Sequence, residues 1–277
     1  MKNKTSNLEK ACLHTITTRP WSLEEAIQKY AESGIAGISV WRNYLDPIPI
    51  HVASKMLNDS GLEIISLVRG GFFTGLEKSA RDKAIDQNKQ MIEEADAIRA
   101  SSLVLVCGST PGQSLECSRD QIYQGIDAIL PVAEKHKIRL AVEPLHPVYS
   151  DTRSAINTLR SANDLVENFK SPWLGLALDV YHLWWDPSLK NEIQRCGKNN
   201  HIFAVHLSDW RVPTRDILND RELMGKGIID IQEFINWVKE AGYSGMYEVE
   251  IFSDSYWSMN QDKFLHMIID SLQSYSF

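Results

Sequence analysis

Four cysteines in 277 residues, Cys12, Cys107, Cys117 and Cys196, are too few and too scattered to frame a fold. The absence of any C-x-x-C pair excludes a zinc knuckle and a disulfide framework, leaving the reduced thiols expected of a cytoplasmic protein. Long apolar runs are missing too. Nothing approaches the roughly 20 apolar residues of a membrane span, and the opening MKNKTSNLEKACLHTITTRP lacks the apolar core of about 7–15 residues that a signal peptide needs. Neither secretion nor a membrane partner is expected. Positive charge is also in deficit, with 29 Lys and Arg against 36 Asp and Glu and a net charge of -7. Coating nucleic acid needs a concentrated positive field, so nucleic acid is not an expected partner, although a local arginine cluster could still hold a small anion. The G-x-S-x-G elbow, the dinucleotide fingerprint and H-E-x-x-H are all absent.

What is present is a steady alternation of short apolar runs with amphipathic stretches, the pattern of βα units around a parallel sheet. Eight pairs are legible. Strands are expected over Cys12–Thr17, Gly37–Trp41, Glu63–Arg69, Ser102–Cys107, Arg139–Glu143, Leu174–Asp179, Ile202–Leu207 and Met246–Ile251. Helices are expected near Ser22–Ser33, Ile50–Asp59, Lys78–Ala97, Ser118–His136, Thr152–Phe169, Ser188–Cys196, Asp230–Ala241 and Gln261–Leu272. Ser22 with Glu25, and Asp230 with Glu233, have the spacing of a capping box. Eight units of about 35 residues fill the chain without a Ser/Gly/Pro-rich linker, which predicts one α/β domain over 1–277, a (β/α)₈ TIM barrel. The longest irregular piece, 208–227, follows the seventh strand, on the face where such barrels carry chemistry.

Four polar residues stand at the ends of strands five to eight: Glu143, where Pro144 stops the ladder, Asp179, His206 and Glu250. As parallel neighbours they converge. Each alone could cap a helix or pair with an arginine, but three carboxylates and one imidazole together suit a single divalent ion open to substrate. Mn²⁺ is foremost, with Mg²⁺, Co²⁺ and Zn²⁺ as alternatives. His182, three residues after Asp179, and His146, three after Glu143, are candidates to touch substrate or orient a ligand. His14 on strand one could serve substrate or simply fill the core. Trp41, Trp184, Trp185 and Trp210 fall at or just past strand ends and could wall a carbohydrate, though some must be packing under loops. Arg42, Arg69, Arg153, Arg211 and Arg215 lie in or near the same loops, where any could grip a phosphate or carboxylate or remain solvated. Gly225-Lys226-Gly227 is only a fragment of a phosphate loop, better read as a turn before the Asp230 cap.

Several stretches together resemble the sugar phosphate isomerase/epimerase family with the xylose isomerase-like barrel. They are Glu143-Pro144-Leu145-His146-Pro147, Asp179-Val180-Tyr181-His182-Leu183-Trp184-Trp185-Asp186-Pro187, His206-Leu207-Ser208-Asp209-Trp210, Gly225-Lys226-Gly227 and Glu248-Val249-Glu250-Ile251-Phe252. Gly37-Ile38-Ser39-Val40-Trp41-Arg42 and Arg69-Gly70-Gly71 extend the likeness into the first half. The resemblance implies a metal held by Glu143, Asp179, His206 and Glu250, with Asp179 and His182 as its D-x-x-H element. It further implies that Glu143 and Glu250 exchange protons with a bound sugar, that His182 assists them, and that the chain forms a homodimer or homotetramer. Substrate contacts would come from His14, Trp41, Arg42, Arg69, His146, Trp184, Trp185, Trp210 and Arg215. The activity expected is a metal-dependent isomerase or epimerase of a free, oxidised or phosphorylated sugar or a cyclitol, working through an enediolate. The rival readings are a lyase that splits 3-keto-glycosides by β-elimination and a barrel that binds sugar without turnover. An apurinic-site nuclease would need more histidines and a basic groove, which eight histidines and the acidic balance oppose.

Overall fold

Parallel strands cannot be joined by tight turns, so each apolar run is followed by a helix that carries the chain back across the sheet. The computed structural model describes residues 7–277, so residues 1–6 of the segment read for a signal peptide lie outside the described residues. In chain order the elements are β1 (Ala11–His14), α1 (Leu23–Ser33), β2 (Gly37–Trp41), α2 (Ile50–Asp59), β3 (Glu63–Gly71), α3 (Lys78–Ile98), β4 (Ser102–Val106), α4 (Leu115–His136), β5 (Arg139–Val142), α5 (Leu159–Phe169) and β6 (Leu174–Asp179). The second half continues with α6 (Val180–Leu183), α7 (Leu189–Lys198), β7 (Ile202–Leu207), β8 (Asp209–Trp210), β9 (Arg221–Glu222), α8 (Ile231–Glu240), β10 (Tyr247–Val249), α9 (Asp254–Trp257) and α10 (Gln261–Leu272). Eight parallel strands close in the order β1-β10-β7-β6-β5-β4-β3-β2, the expected (β/α)₈ barrel. No helix among the described residues is long and apolar enough to cross a membrane.

The two faces of each strand carry different residues because they meet different neighbours. Leu103, Leu105, Leu140, Val142, Leu176 and Leu178 belong to the large core shared with the helices, whereas Val68, Val104, Ala141, Ala177 and Ala204 form a separate small cluster. Small residues suit a narrow lumen. The part of the barrel made by β1, β2, β3 and β10 is instead polar: Cys12 Sγ lies 3.3 Å from Ser39 Oγ, and Ser39 Oγ donates to Glu248 Oε2 at 2.5 Å. All three residues are fully buried.

Local chemistry sets the boundaries. Ser22 and Glu25 form the full capping box, with Glu25 N donating to Ser22 Oγ at 3.2 Å and Ser22 N to Glu25 Oε2 at 2.8 Å. α1 then buries Leu23, Ala26, Ile27 and Tyr30, one stripe of a helix. At Asp230 only half of the box forms, through Glu233 N at 2.9 Å. α4 starts earlier than expected because Ser114, not Ser118, accepts from the first turn. α5 starts later, at the Thr158 cap. The residues before it are drawn onto the barrel mouth instead, with Ala155 N donating to Gly108 O at 3.0 Å and Leu145 N to Ile156 O at 3.0 Å. β1 stops short because the Thr17 hydroxyl takes over the edge, donating to Val249 O and accepting from Ile251 N. The one-turn helices α6 and α9 and the β8–β9 ribbon had no signal strong enough to predict them.

Gly125, inside α4, tests packing against propensity. Alanine is worth about 1 kcal/mol more than glycine in an open helix. Here a Cβ would meet the buried Phe73 side chain at 2.4 Å, and overpacking of that kind costs about 1–3 kcal/mol. Gly125→Ala is therefore expected to destabilise, by up to about 2 kcal/mol net. A denaturant midpoint equal to or above that of the parent chain would show that propensity wins.

Candidate metal centre

Barrel closure turns positions far apart in sequence into neighbours. Glu143 directly follows β5, and its N–H still donates to Leu105 O at 3.0 Å. Asp179 ends β6, His206 lies opposite it in register on β7, and Glu250 follows β10 with its N–H on Leu207 O at 3.1 Å. Because β5, β6, β7 and β10 are consecutive around the barrel, the four side chains meet, each offering one donor atom within 4.8 Å of the other three. None is more than 5% exposed. Unpaired, so much buried negative charge would be costly, by several kcal/mol per ion.

Part of the balance comes from Arg221, on the β8–β9 ribbon. Its Nη1 donates to Asp179 Oδ2 at 2.8 Å and to Glu250 Oε2 at 3.0 Å, and its Nη2 to His182 Nε2 at 3.1 Å. The rest comes from histidine. His14 Nε2 lies 3.0 Å from Glu248 Oε2 and its Nδ1 3.0 Å from Glu250 Oε1. Burial works against the His14 imidazolium, but the charge of Glu250 and the bonds to Glu248 and Glu250 prevail and raise its pKa. Trp41 Nε1 also lies 3.2 Å from His14 Nδ1. Burial would push the Glu250 carboxyl up, yet His14 and Arg221 hold it well below the usual carboxylate range. Asp179 goes the other way, to about 6: burial raises it, Arg221 opposes, and the Glu143 and Glu250 charges add to the rise.

His206 joins the cluster to a second carboxylate. Its Nδ1 is 2.8 Å from Glu143 Oε1, and its Nε2 is 3.9 Å from Glu248 Oε1. Both Nε2 and Glu248 Oε1 are buried and lack a hydrogen-bond partner among the described residues. That layout fits a ligating imidazole, which needs its second nitrogen aimed at a carboxylate that fixes the tautomer. Three hard carboxylates and one imidazole fit a divalent ion, which Glu143, Asp179, His206 and Glu250 would hold. A second group, His14, His206 and Glu248, also brings potential donor atoms together.

Beside the cluster is a narrow space of about 20 Å³, whose lining includes Glu143, Glu250, His182, Arg221, Trp41, Arg69, Tyr149, Arg153 and Phe252. His182 faces it as a neutral imidazole, since burial and then Arg221 keep its pKa well below the ordinary value. Accepting from Arg221 at Nε2 puts its proton on Nδ1, an atom with no partner among the described residues. Leu218 closes part of the space, and the Tyr149 hydroxyl bonds to Ile217 O, so the loop after β8 lies over the mouth.

Several residues expected at this wall are placed elsewhere. Trp184, Trp185, Trp210 and His146 form an aromatic cluster that does not line the space. Trp210 stacks on Tyr181 at 4.8 Å, His146 is 5.1 Å from Trp210, and Trp185 Nε1 donates to His182 O at 2.8 Å. Their apolar area is spent on each other and on the α6 turn, so the aromatic lining comes from Trp41, Tyr149 and Phe252. Arg42 is held by Glu94 at 2.6 and 2.8 Å and Arg215 by Asp220, so neither reaches the space. His14 is fully buried and grips two glutamates, which places it behind the wall. Arg221 went unnoticed in the sequence because nothing there separates it from Arg211 and Arg215; only the ribbon aims it inward. The Gly225-Lys226-Gly227 turn does wrap an anion, the chain's own Asp209, whose Oδ2 accepts from Gly225 N at 2.9 Å and Gly227 N at 2.8 Å.

A closed parallel barrel with a carboxylate-rich cluster at the C-terminal ends of its strands defines the class of protein. The family model described as xylose isomerase-like TIM barrel matches residues 27–270, and the chain belongs to that family. A crystal structure of protein SMc04130 from Sinorhizobium meliloti 1021 shares 39% identity at a TM-score of 0.94, covering 96% of this chain and 98% of its own. The structure of IolI protein with a binding zinc atom superimposes at a TM-score of 0.84 with 20% identity, covering 96% of this chain and 99% of its own, a likeness of fold. Among curated relatives, an inosose isomerase of Halalkalibacterium halodurans is 24% identical over 196 residues, 69% of this chain and 67% of the relative.

Two outcomes follow from the charge balance. Burial opposes the His206 imidazolium, but the hydrogen bond to Glu143 and the charges of Glu248, Glu143 and Glu250 lift its pKa to about 10. The ring must lose that proton to ligate, so uptake of a divalent ion near pH 7 is expected to release about one proton from it, and affinity to rise with pH up to that value. Calorimetry in buffers of different ionisation enthalpy reads the proton count; affinity that is flat or falling from pH 6 to 9 contradicts it. Arg221→Met should cost the metal-free protein about 3–5 kcal/mol by stranding buried carboxylates. Melting curves with and without saturating Mn²⁺ check this, since the loss should shrink when the ion supplies the missing charge.

Proposed function

We propose that this chain is a divalent-metal-dependent isomerase or epimerase acting on a sugar or cyclitol with a carbonyl group, through an enediolate. The observation that carries the reading is that two glutamates of the four-donor cluster, Glu143 and Glu250, also line the adjoining space. The isomerase activity in the name of the inosose isomerase relative, and the zinc atom in the IolI structure, support it. Mn²⁺ is the ion proposed, on the hardness of the donor set.

When bound, the ion polarises a carbonyl and eases the build-up of negative charge on its oxygen. Glu250, kept ionised by His14 and Arg221, takes the proton from the carbon next to that carbonyl. The C–H electron pair moves into the new C=C bond and the carbonyl π pair onto oxygen, giving the enediolate. Glu143, protonated from solvent, passes that proton to the same carbon from the other side for epimerisation, or to the former carbonyl carbon for isomerisation. In the latter case the hydroxyl proton of the neighbouring carbon also moves to the former carbonyl oxygen. Glu250 then releases its proton to solvent. His182 donates from Nδ1 to a substrate oxygen, and Trp41, Tyr149 and Phe252 exclude water from the reacting face.

Glu143→Gln and Glu250→Gln are each expected to stay folded and to lose about 10²–10⁴-fold in turnover from the acid–base role alone. Proton exchange at the carbon next to the carbonyl, followed in D₂O over a panel of ketoses and inososes, is the readout. Substantial turnover in both variants would sink the assignment. Exchange accompanied by release of an aglycone from a 3-keto-glycoside would assign the same carbanion chemistry to a lyase.

A further inference from the structure

Of the arginines around the barrel mouth, most are already paired. Arg42 binds Glu94, Arg211 binds Asp220 at 2.8 Å and Glu222, Arg215 binds Asp220, and Arg221 binds Asp179 and Glu250. Arg69 and Arg153 differ. Both line the space beside the cluster, and among the described residues neither guanidinium has a carboxylate within 4.0 Å or a hydrogen-bond acceptor. Arg69 Nε is buried and without a partner. What surrounds the two guanidinium groups is aromatic: Arg69 lies 4.5 Å from the Phe72 ring and 5.7 Å from Trp41, and Arg153 lies 5.7 Å from Tyr149. Aromatic faces orient a guanidinium while leaving its N–H edge free to donate.

The cluster itself does not need these two cations. With a divalent ion in place, its three carboxylates are neutralised by that ion and Arg221, and Glu248 is matched by His14. Arg69 and Arg153 are surplus positive charge on the wall of a substrate space. They also stand close enough to oppose each other: burial, and then the charge of Arg153, bring Arg69 down to about 10, so it stays cationic near neutral pH. Glu143 and Glu250 act on Arg69 only from a distance, and two guanidinium groups with no carboxylate in direct contact call for an anionic guest.

Building on the metal-dependent reading, we propose that the substrate carries an oxyanion, a carboxylate or a phosphate, which Arg69 and Arg153 hold while its carbonyl faces the Glu143–Glu250 cluster. The natural substrate is then an acidic derivative of a keto sugar or cyclitol, and the arginines set both its orientation and its selection over neutral analogues.

The test uses the full-length, Mn²⁺-loaded protein and three probes, D-fructose, D-fructuronate and D-fructose 6-phosphate, titrated calorimetrically at low and moderate salt. At least one anionic probe should bind 10-fold or more tightly than D-fructose, and which one separates carboxylate from phosphate. Arg69→Met and Arg153→Met should each cut the anion-to-neutral affinity ratio at least 10-fold with bound metal still at one equivalent, and Arg69→Lys should restore part of it. Arg153 is partly exposed and, unlike Arg69, has no buried unpartnered nitrogen, which makes the second variant a safeguard should the first fail to fold. Equal binding of all three probes, or a ratio unmoved in the variants, overturns the proposal. Metal content and D₂O exchange are read on the same samples. Absence of both overturns the isomerase reading while the affinity ratio still decides this one.

Discussion

Negative charge removed from water is the constraint to which the mouth of this barrel answers. Strand ends bring Glu143, Asp179 and Glu250 together, with Glu248 just beneath, in a region that solvent hardly reaches. Like charges at that spacing are tolerated only with compensation. His14, His206 and Arg221 are the nearest cations, and each touches at least one of the four carboxylates. The opposite directions of Asp179 and Glu250 show how uneven the compensation is, for Glu250 faces His14, Arg221 and His206, whereas Asp179 faces only Arg221 and His206.

The scaffold explains why the arrangement is rigid. The site residues sit at or beside strand ends, and a strand in a closed barrel has no free edge along which to shift. Small side chains at Ala141, Ala177 and Ala204 keep the lumen narrow, while the Cys12–Ser39–Glu248 chain of contacts fills the β1–β2–β10 part with polar groups. That polar part connects the cluster to the wall: Glu248 reaches His14, His14 reaches Glu250, and Trp41 packs against the same imidazole.

The sequence was most informative where chemistry is periodic or punctuated. Pro144 marked the end of β5, the capping pair Ser22 and Glu25 marked α1, and the alternation of apolar runs with amphipathic stretches gave the barrel. Because eight parallel strands leave little choice of order, the meeting of Glu143, Asp179, His206 and Glu250 could be anticipated from their places at strand ends. The loops were less legible. Nothing in residues 208–227 signals a two-stranded ribbon, and without it Arg221 looks like any loop arginine. Similarly, Trp184, Trp185 and Trp210 have the composition of a sugar wall, but aromatic rings bury area equally well against each other, and only coordinates tell which they choose. Thr152–Asn157 read as the start of a helix because its backbone partners, Gly108 O and the Leu145 peptide, are remote in sequence.

The placement of Arg221 divides the site between two structural regimes. Its negative groups belong to the barrel wall or its immediate strand ends, while the cation that bridges two of them arrives on a ribbon whose far side is fastened by Asp209 gripping the Gly225–Gly227 turn. Seating the excursion and neutralising the pocket are consequently a single event. The tip of that excursion, from Val212 to Thr214, is exposed, so a change of composition there would leave both anchors delivering the guanidinium to the same spot.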